Sequence, residues 1–360
     1  MTKQGLTSRD HRLKVLTRRT SATALGSHGG GTLDPQPRKR RSRQPTKKVE
    51  HAADEDVADE VLTPDWEARG ARPDHGRGPS QSRDVEVDQL DVPDVKTVQA
   101  VGPYLTEIHR HYRETEGLKH ASPSYMKTQV DINAKMRSIL IDWLVEVHLK
   151  FKLVPEVLYL TVNLIDRFLE KEQIMRNKLQ LVGLTAMFIA SKYEDQIFAT
   201  ECRYFVYISD KLYTRDDILR MEGSMLTRLN FQLTAPNAFV FLKRFAEVAD
   251  ITTTPRSTTE LLASYLVELT LQDYKMLKYL PSLICASAVY LALTTRGETP
   301  WTPDLEKHST YKERDLQACV RNIRKLHDKA TTNSLQAVRK KYTQEKHGNV
   351  SSIAPAHLGF

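Results

Sequence analysis

The aromatic residues of this 360-residue chain are concentrated beyond residue 100. Residues 1–100 contain no Phe, no Tyr and a single Trp, Trp66, whereas the whole chain has 3 Trp, 14 Tyr and 10 Phe. A segment with so little apolar surface cannot offset the conformational entropy lost on ordering it. We therefore expect a long disordered N-terminal tail over residues 1–98, followed by enough chain for two domains of ~100–150 residues each.

The charge of the tail is divided into two opposed blocks. Residues 1–48 carry 13 Lys and Arg against 2 acidic residues, and residues 49–100 carry 14 acidic residues against 5 basic ones. A bipolar segment of this kind is typical of an interaction or regulatory tail rather than of a nucleic-acid-binding domain.

The cysteines and the apolar runs indicate the compartment. Cys202, Cys285 and Cys319 are far apart and odd in number, which fits neither a disulfide framework nor a paired-cysteine metal site and indicates a reducing compartment. The longest apolar runs stay below the ~18 residues that a membrane span needs. The opening sequence MTKQGLTSRDHR has no apolar signal core, so we expect a location in the nucleus and cytoplasm. We expect no cofactor and no metal.

Helical periodicity begins near Val101, and prolines fall between the periodic segments. Eleven helices are predicted, near residues 100–116, 136–152, 156–170, 177–194, 200–210, 214–229, 237–249, 256–272, 281–295, 303–309 and 312–331. The sequence Thr-Ala-Pro-Asn at 234–237 interrupts the series. The pattern predicts an all-α fold with a first domain over 99–233, a second over 234–345 and a C-terminal tail over 346–360.

Two segments are almost entirely apolar with small residues interleaved. They are LQLVGLTAMFIA at 179–190 and LICASAVYLAL at 283–293. A helix that is apolar all round belongs in the middle of a bundle, and small residues let neighbouring helices approach closely. One such segment in each half favours two domains of similar build, although either segment would suit the core of any all-α protein.

The segment MRSILIDWLVEVH at 136–148 has two apolar stripes at helical spacing. The first contains Met136, Ile139, Leu140 and Trp143, and the second contains Ile141, Leu144, Val145 and His148. Such a helix buries both stripes, or buries one and offers the other to a partner.

Several long motifs then occur in order: MRSILIDWLVEVHLKFKL, PEVLYLTVNLIDRFL, KLQLVGLTAMFIASKYED, YTRDDILRMEGSML and LNFQLTAPNAFVFL. With these motifs, residues 100–345 resemble the mitotic cyclins, and the strings HLKFKL and LYLTVNLIDRFL are closer to the B-type than to the A-type. The resemblance implies two tandem five-helix cyclin-box domains with an N-terminal helix. It also implies a non-catalytic subunit that binds and activates a cyclin-dependent protein kinase at the G2/M transition and in mitosis.

The resemblance implies a set of kinase-binding residues. Lys192 and Glu222 match the Lys and Glu that hold the regulatory helix segment of the kinase, and such side chains can bond the backbone groups left free at helix ends. The surrounding contacts are expected from Tyr193, Glu194, Leu226 and Phe231 and, on the N-terminal helix, from Tyr104 and Ile108. The alternative is that Lys192 and Glu222 form only a solvated intrahelical or interhelical ion pair, worth ~0–1 kcal/mol if exposed.

The resemblance also implies a shallow apolar patch that docks RxL-type substrate or inhibitor peptides. Its expected members are Met136, Ile139, Leu140, Trp143, Glu146, Leu179 and Gln180. Apolar side chains of these types accept a Leu, and Glu146 can accept the Arg. Arg137 and Asp166 match a pair that ties the first two box helices together, and Leu181 lies in the buried third helix.

The tail contains sequences that resemble regulatory signals. Thr23-Ala24-Leu25-Gly26 fits part of a destruction box, although Ala22 replaces its Arg and Gly30 its Asn, so the degradation machinery of a ubiquitin ligase is an expected partner. The basic cluster at 38–48 suits a nuclear import receptor, although a solvated basic run is the alternative. Thr63-Pro64 and Ser122-Pro123 could accept phosphate from the bound kinase.

Two other classes of function remain as alternatives. An enzyme would need a motif such as GxxxxGK[ST], HExxH or GxSxG, and the sequence contains none of them. A two-box transcription-initiation factor would need basic residues clustered on the folded domains to grip DNA, whereas the densest basic block lies in the tail. We expect neither membrane binding nor direct nucleic-acid binding.

Overall fold

The computed structural model describes residues 104–195, 200–252 and 257–356. In these ranges the regular structure is helical and no strand occurs, so the predicted all-α class is confirmed. The helices are α1 (Leu105–Thr115), α2 (Ala134–Lys150), α3 (Pro155–Lys171), α4 (Leu179–Glu194), α5 (Cys202–Ile208), α6 (Arg215–Arg228), α7 (Ala238–Val248), α8 (Thr258–Gln272), α9 (Pro281–Arg296), α10 (Pro303–Ser309), α11 (Glu313–Lys329) and α12 (Ala337–Tyr342).

The order of the helices forms a repeat. Helices α2 to α6 build a first five-helix bundle, and α7 to α11 build a second one after the linker at Pro236. Each of the eleven predicted helices corresponds to one of these elements, and α12 is an addition. The predicted tail over 1–98 lies outside the described residues. None of the helices that the structure describes is long and apolar enough to span a membrane.

The helices begin where the sequence supplies caps. The side chains of Asn133 and Asn237 accept backbone N–H groups from the first turns of α2 and α7. Thr214 and Asp217 form a capping box at the start of α6. Proline takes the first position of α3, α9 and α10, where no backbone N–H is needed.

Each bundle is built around one central helix. Helix α4 packs against α2, α3 and α6, and α9 packs against α7, α8 and α11. Most residues of these two central helices are buried, including the polar Thr185 and Ser287. The two apolar segments singled out in the sequence therefore occupy equivalent central positions in the two bundles.

Gly183 allows α2 and α4 to approach closely. A Cβ atom at this position would lie 2.7 Å from Cδ1 of Leu140 and 3.1 Å from Cδ1 of Leu144. Only the absence of a side chain leaves room for these two leucines, which are fully buried. The small residue thus sets the distance between the two helices.

The two bundles are joined by buried polar contacts. Asp142 of α2 accepts hydrogen bonds from the side chain of Gln272 at 2.9 Å and from the backbone N–H of Ala337 at 2.8 Å. Lys341 of α12 forms an ion pair with Glu268 of α8 at 2.6 Å, and both side chains are buried. Helix α12 therefore connects the second bundle to α2.

Helix α1 and the turn that follows it pack against the second bundle. The ring of Tyr112 makes an edge contact with Phe241 of α7. Glu116 is buried and accepts hydrogen bonds from the backbone N–H of Ser282 at 2.9 Å and from its hydroxyl at 2.7 Å. Arg113 lies 4.4 Å from the ring centroid of Tyr311. These contacts fix the N-terminal helix on the second box.

We expect Gly183→Ala to lower the free energy of unfolding by about 2 kcal/mol, because the added methyl group overlaps two packed leucines. Chemical denaturation measures this change. Gly223→Ala is the matched control, because a Cβ on this glycine of α6 meets nothing within 4 Å. That control should raise stability by about 0.5–1 kcal/mol through helix propensity. Equal effects of the two substitutions would contradict the packing argument.

His148 makes stability sensitive to acid. Burial, and then the positive charge of Lys341, lower the pKa of His148 to about 4 from the ordinary 6.5. Below pH 6.5 the unfolded chain binds a proton that the folded chain does not take up until about pH 4, so stability falls over that window. Between pH 7 and pH 5 this histidine should account for a loss of about 2 kcal/mol.

The control for this prediction is His148→Gln, which keeps an N–H donor for the carbonyl of Val154, the present partner of Nε2 at 2.9 Å. The variant cannot titrate, so its free energy of unfolding should depend less on pH between 7 and 5. An identical pH dependence in both proteins would show that His148 is not the group responsible.

Candidate functional site

An ion pair joins the last turn of α4 to the middle of α6. Nζ of Lys192 donates a hydrogen bond to Oε1 of Glu222. The same ammonium group lies 4.2 Å from the ring centroid of Phe188, one helical turn earlier. The side chain of Lys192 is 43% exposed and that of Glu222 12%. The pair therefore lies at the surface, where a partner can reach it.

Several apolar side chains lie on the two helices that carry this ion pair or in the turn after α6. Phe231, in the turn after α6, is 70% exposed. Tyr193 is half-exposed, and its hydroxyl shares a hydrogen bond with the hydroxyl of Thr234, three residues beyond Phe231. Leu226 packs partly against the core of the first box. The ion pair and these apolar side chains thus belong to the same two helices and to the turn that follows them.

Glu194, the last residue of α4, is half-buried. Burial, and then the charge of Glu156, raise the pKa of its carboxyl above the ordinary value.

The two remaining candidate residues for kinase binding lie on α1, apart from the helices that carry Lys192 and Glu222. Tyr104 is exposed and Ile108 is half-buried. Among the described residues, no hydrogen bond, ion pair or ring contact joins either of them to Lys192 or Glu222.

The seven residues of the predicted docking patch differ in exposure. Four are buried, namely Leu140, Trp143, Leu179 and Gln180. Three are half-buried, namely Met136, Ile139 and Glu146. Leu140 is buried because it packs on Gly183. The apolar face open to solvent is therefore narrower than helical spacing alone predicts, and the docking patch stays a prediction.

Trp143 is the unusual member of this patch. Its side chain is only 2% exposed, yet its indole Nε1–H has no hydrogen-bond partner within the part of the chain that the structure describes. A buried donor without a partner costs ~1–3 kcal/mol. Because the nitrogen itself is buried, a peptide carbonyl would reach this N–H and remove that cost only after neighbouring side chains moved aside.

Arg137 and Asp166 form a buried, two-pronged ion pair between α2 and α3. Nε and Nη2 of Arg137 donate to the two carboxylate oxygens at 2.5 and 2.6 Å. The hydroxyl of Tyr125 donates to Oδ1 of Asp166 at 2.8 Å. Burial acts to lower the pKa of Arg137, but the charge and hydrogen bonds of Asp166 outweigh it, so this pKa lies above its usual value. Burial, and then Asp166, raise the pKa of Tyr125.

Some side chains that shape the site do not follow from the sequence analysis. Phe188 lies under Lys192, and its position four residues earlier on α4 is a local signal that could have identified it. Thr234 gives no such signal, because its contact with Tyr193 spans 41 residues and exists only in the folded chain.

In the three described ranges, no group of His, Cys, Asp or Glu side chains is arranged to hold a metal ion. The repeated five-helix bundle defines a class: proteins built from two tandem all-helical bundles. Residues 107–234 match the family described as "Cyclin, N-terminal domain", and residues 236–356 match "Cyclin, C-terminal domain".

Known proteins are similar to the chain over much of its length. Cyclin-B2-1 of Arabidopsis thaliana is 43% identical over 283 residues, which are 77% of this chain and 65% of that protein. G2/mitotic-specific cyclin-2 of Medicago sativa is 43% identical over 268 residues, which are 74% of this chain and 80% of that protein. The chain thus spans slightly less than two thirds of the length of Cyclin-B2-1.

A solved structure has the same fold. The X-ray structure of a viral cyclin from herpesvirus saimiri superposes with a TM-score of 0.56 at 24% identity, over 61% of this chain and 96% of that one. The chain therefore belongs to the cyclin family, and its resemblance to the B-type mitotic cyclins is confirmed.

Proposed function

We propose that this chain is a non-catalytic regulatory subunit that binds and activates a cyclin-dependent protein kinase at the G2/M transition and in mitosis. The observation that carries the proposal is the surface ion pair of Lys192 and Glu222, with the exposed Phe231 in the turn after the helix that carries Glu222. Membership of the cyclin family and the name of the G2/mitotic-specific relative support it.

The surface has the chemistry to hold the end of a partner helix. The ammonium donor of Lys192 and the carboxylate acceptor of Glu222 complement the unpaired backbone groups at helix termini. Phe231 and Tyr193 supply apolar contact area of the kind that dominates protein interfaces. Binding would turn the regulatory helix of the kinase inward, so that its Glu meets the β3 Lys, and catalysis would belong to the kinase.

Replacing both members of the pair, Lys192→Ala with Glu222→Ala, should reduce kinase activation by a factor of about 100, because two contacts to helix-end backbone groups are lost. The free energy of unfolding should change by less than about 1 kcal/mol, since the pair lies at the surface. A titration of the chain against the purified kinase, read as phosphorylation of a short peptide, measures the effect.

The matched control removes another ion pair, formed by the half-buried Arg324 and the exposed Asp328 on α11, whose charged atoms are 3.8 Å apart. We expect Arg324→Ala with Asp328→Ala to activate the kinase as the wild type does. If the variant lacking Lys192 and Glu222 is as active as this control, the assigned surface is wrong.

We also propose that the half-buried face around Met136 and Ile139 docks RxL-type substrate or inhibitor peptides. The observation in favour is the unpartnered Nε1–H of Trp143 beneath that face. Glu146 lies one turn further along α2 than Trp143, where its carboxylate can accept the Arg of the peptide.

Trp143→Phe should lower phosphorylation of RxL-bearing substrates about tenfold and leave short peptides without the motif unaffected, because the substitution deletes the free donor but keeps most of the ring. Trp301→Phe is the control, since its Nε1–H already donates to the carbonyl of Tyr311 at 3.1 Å. That control should affect both substrate types alike. Equal losses on both substrates for Trp143→Phe would indicate a structural role instead.

The remaining proposals concern localisation and tail partners. We propose a nuclear and cytoplasmic protein whose basic cluster at 38–48 binds an import receptor and whose segment 22–30 is read by the degradation machinery of a ubiquitin ligase. Both segments and Thr63-Pro64 lie outside the described residues. Ser122-Pro123 is in a surface turn, where the Ser122 hydroxyl bonds that of Ser124 at 3.0 Å.

A further inference from the structure

The turn after α6 holds Phe231 in a backbone conformation that bulky residues rarely adopt. Asn230 and Phe231 have φ values of 52° and 55°, in the left-handed region. Asparagine tolerates this region, but for phenylalanine it is unfavourable. The backbone N–H of Phe231 donates to the carbonyl of Leu226 at 2.8 Å, which closes the turn. Such a conformation persists only where the surrounding structure holds it.

Arg167 of α3 reaches this turn from the neighbouring helix. Its Nη2 donates to the backbone carbonyl of Gln232 at 2.8 Å, directly after Phe231. Its Nη1 donates to Oδ1 of Asn163 at 3.2 Å. The side chain is buried, and in the described part of the chain no carboxylate lies within ion-pair distance of it. A buried cation with two neutral partners is uncommon.

Two features make the charge of Arg167 tolerable: the carboxylate of Glu170, one turn further along α3, favours the cation, and the carbonyl that Arg167 binds lies just beyond the end of α6. The last carbonyl groups of a helix carry partial negative charge, which favours a cation close to them. Arg167 thereby satisfies a carbonyl just beyond the helix and stabilises the turn that carries Phe231. Its other hydrogen bond, to Asn163 on the preceding turn of α3, fixes the direction of the guanidinium.

Further hydrogen bonds connect Asn163 and Gln232 to the segment after α1. The amide of Asn163 donates to the backbone carbonyl of Lys119 at 2.9 Å. The ammonium of Lys119 donates in turn to the side-chain carbonyl of Gln232. Lys119, Asn163, Arg167 and Gln232 thus form a closed ring of hydrogen bonds. The ring links the segment that follows α1, helix α3 and the turn after α6.

We propose that Arg167, oriented by Asn163, is a positioning residue that holds Phe231 outward as an apolar anchor for the partner kinase. This inference rests on the proposed function and names a residue outside the contact surface itself. Lys119 belongs to the hydrogen-bond ring and lies in the segment that follows α1. The packing of α1 on the second box therefore also helps to hold Phe231. An anchor held in advance loses less conformational entropy when it enters a partner pocket, so it binds more tightly.

The test titrates the full-length chain into a purified cyclin-dependent kinase and fits the Kd and the plateau activity from the activation curve. We expect Arg167→Met to raise the Kd about tenfold and to leave the plateau unchanged, because the contact atoms remain but are no longer held. Arg167→Lys should recover part of the affinity, since an ammonium group can still donate to the carbonyl of Gln232.

The decisive comparison starts from the variant Phe231→Ala, to which Arg167→Met is added. If Arg167 acts through Phe231, then adding Arg167→Met to Phe231→Ala produces no further rise in Kd. A further tenfold rise would overturn the inference, because Arg167 would then act through other groups. Lys171→Met is the matched control, since this exposed lysine donates to the carbonyl of Arg228 at 3.3 Å in the same region but not to the turn itself. Its Kd should equal that of the wild type.

The outcomes separate the inference from the proposed function. A wild-type chain that neither binds nor activates the kinase overturns the proposed function. A wild-type chain that activates, together with Arg167→Met that binds equally well, overturns the inference alone. If Arg167→Met fails to fold in a thermal melt, Asn163→Ala carries the same test, because it frees the guanidinium and breaks the bond to Lys119.

Discussion

Arg137 joins three parts of the molecule at one buried point. Its guanidinium binds Asp166 of the first box by two hydrogen bonds and donates a third to the carbonyl of Leu271, at the end of α8 in the second box. Tyr125, from the segment that leads from α1 into α2, binds the same carboxylate. A buried ion pair is tolerated only when its remaining donors and acceptors are satisfied, and here they are shared among all three parts. The positions of both boxes and of the N-terminal segment depend on this contact.

The candidate kinase surface depends on that arrangement although Arg137 does not touch it. Lys192 is on the central helix of the first box and Glu222 is on α6, which packs against that helix, so their separation is set by core packing. Phe231 is held instead by a hydrogen-bond ring that reaches back to Lys119. The segment containing Lys119 is fixed in turn by the contact of Glu116 with the second box. The candidate kinase surface on the first box is therefore held in place by contacts with residues of both boxes.

Sequence periodicity predicts most of the fold because burial of helix faces is a local pattern. Eleven helices and the class follow from it, whereas α12 does not, because Ala337–Tyr342 is short and ends in three basic residues and a tyrosine. Lys341 is buried there only because Glu268 lies opposite in the folded chain. Helical spacing likewise cannot tell which apolar stripe of α2 is exposed to solvent. Leu140 is buried because Gly183 of α4 packs closely against it.

The sequence by itself determined the helical class, the repeat of two bundles, the membership of the cyclin family and the charged residues around which a partner surface can form. These features follow from composition, residue spacing and long motifs, which are properties of the amino-acid sequence alone. Only the tertiary structure decided that Trp143 keeps an unpaired donor in a buried position and that Arg167 supports the turn of Phe231. Such facts depend on contacts between residues far apart in the chain, and these contacts form only when the helices pack.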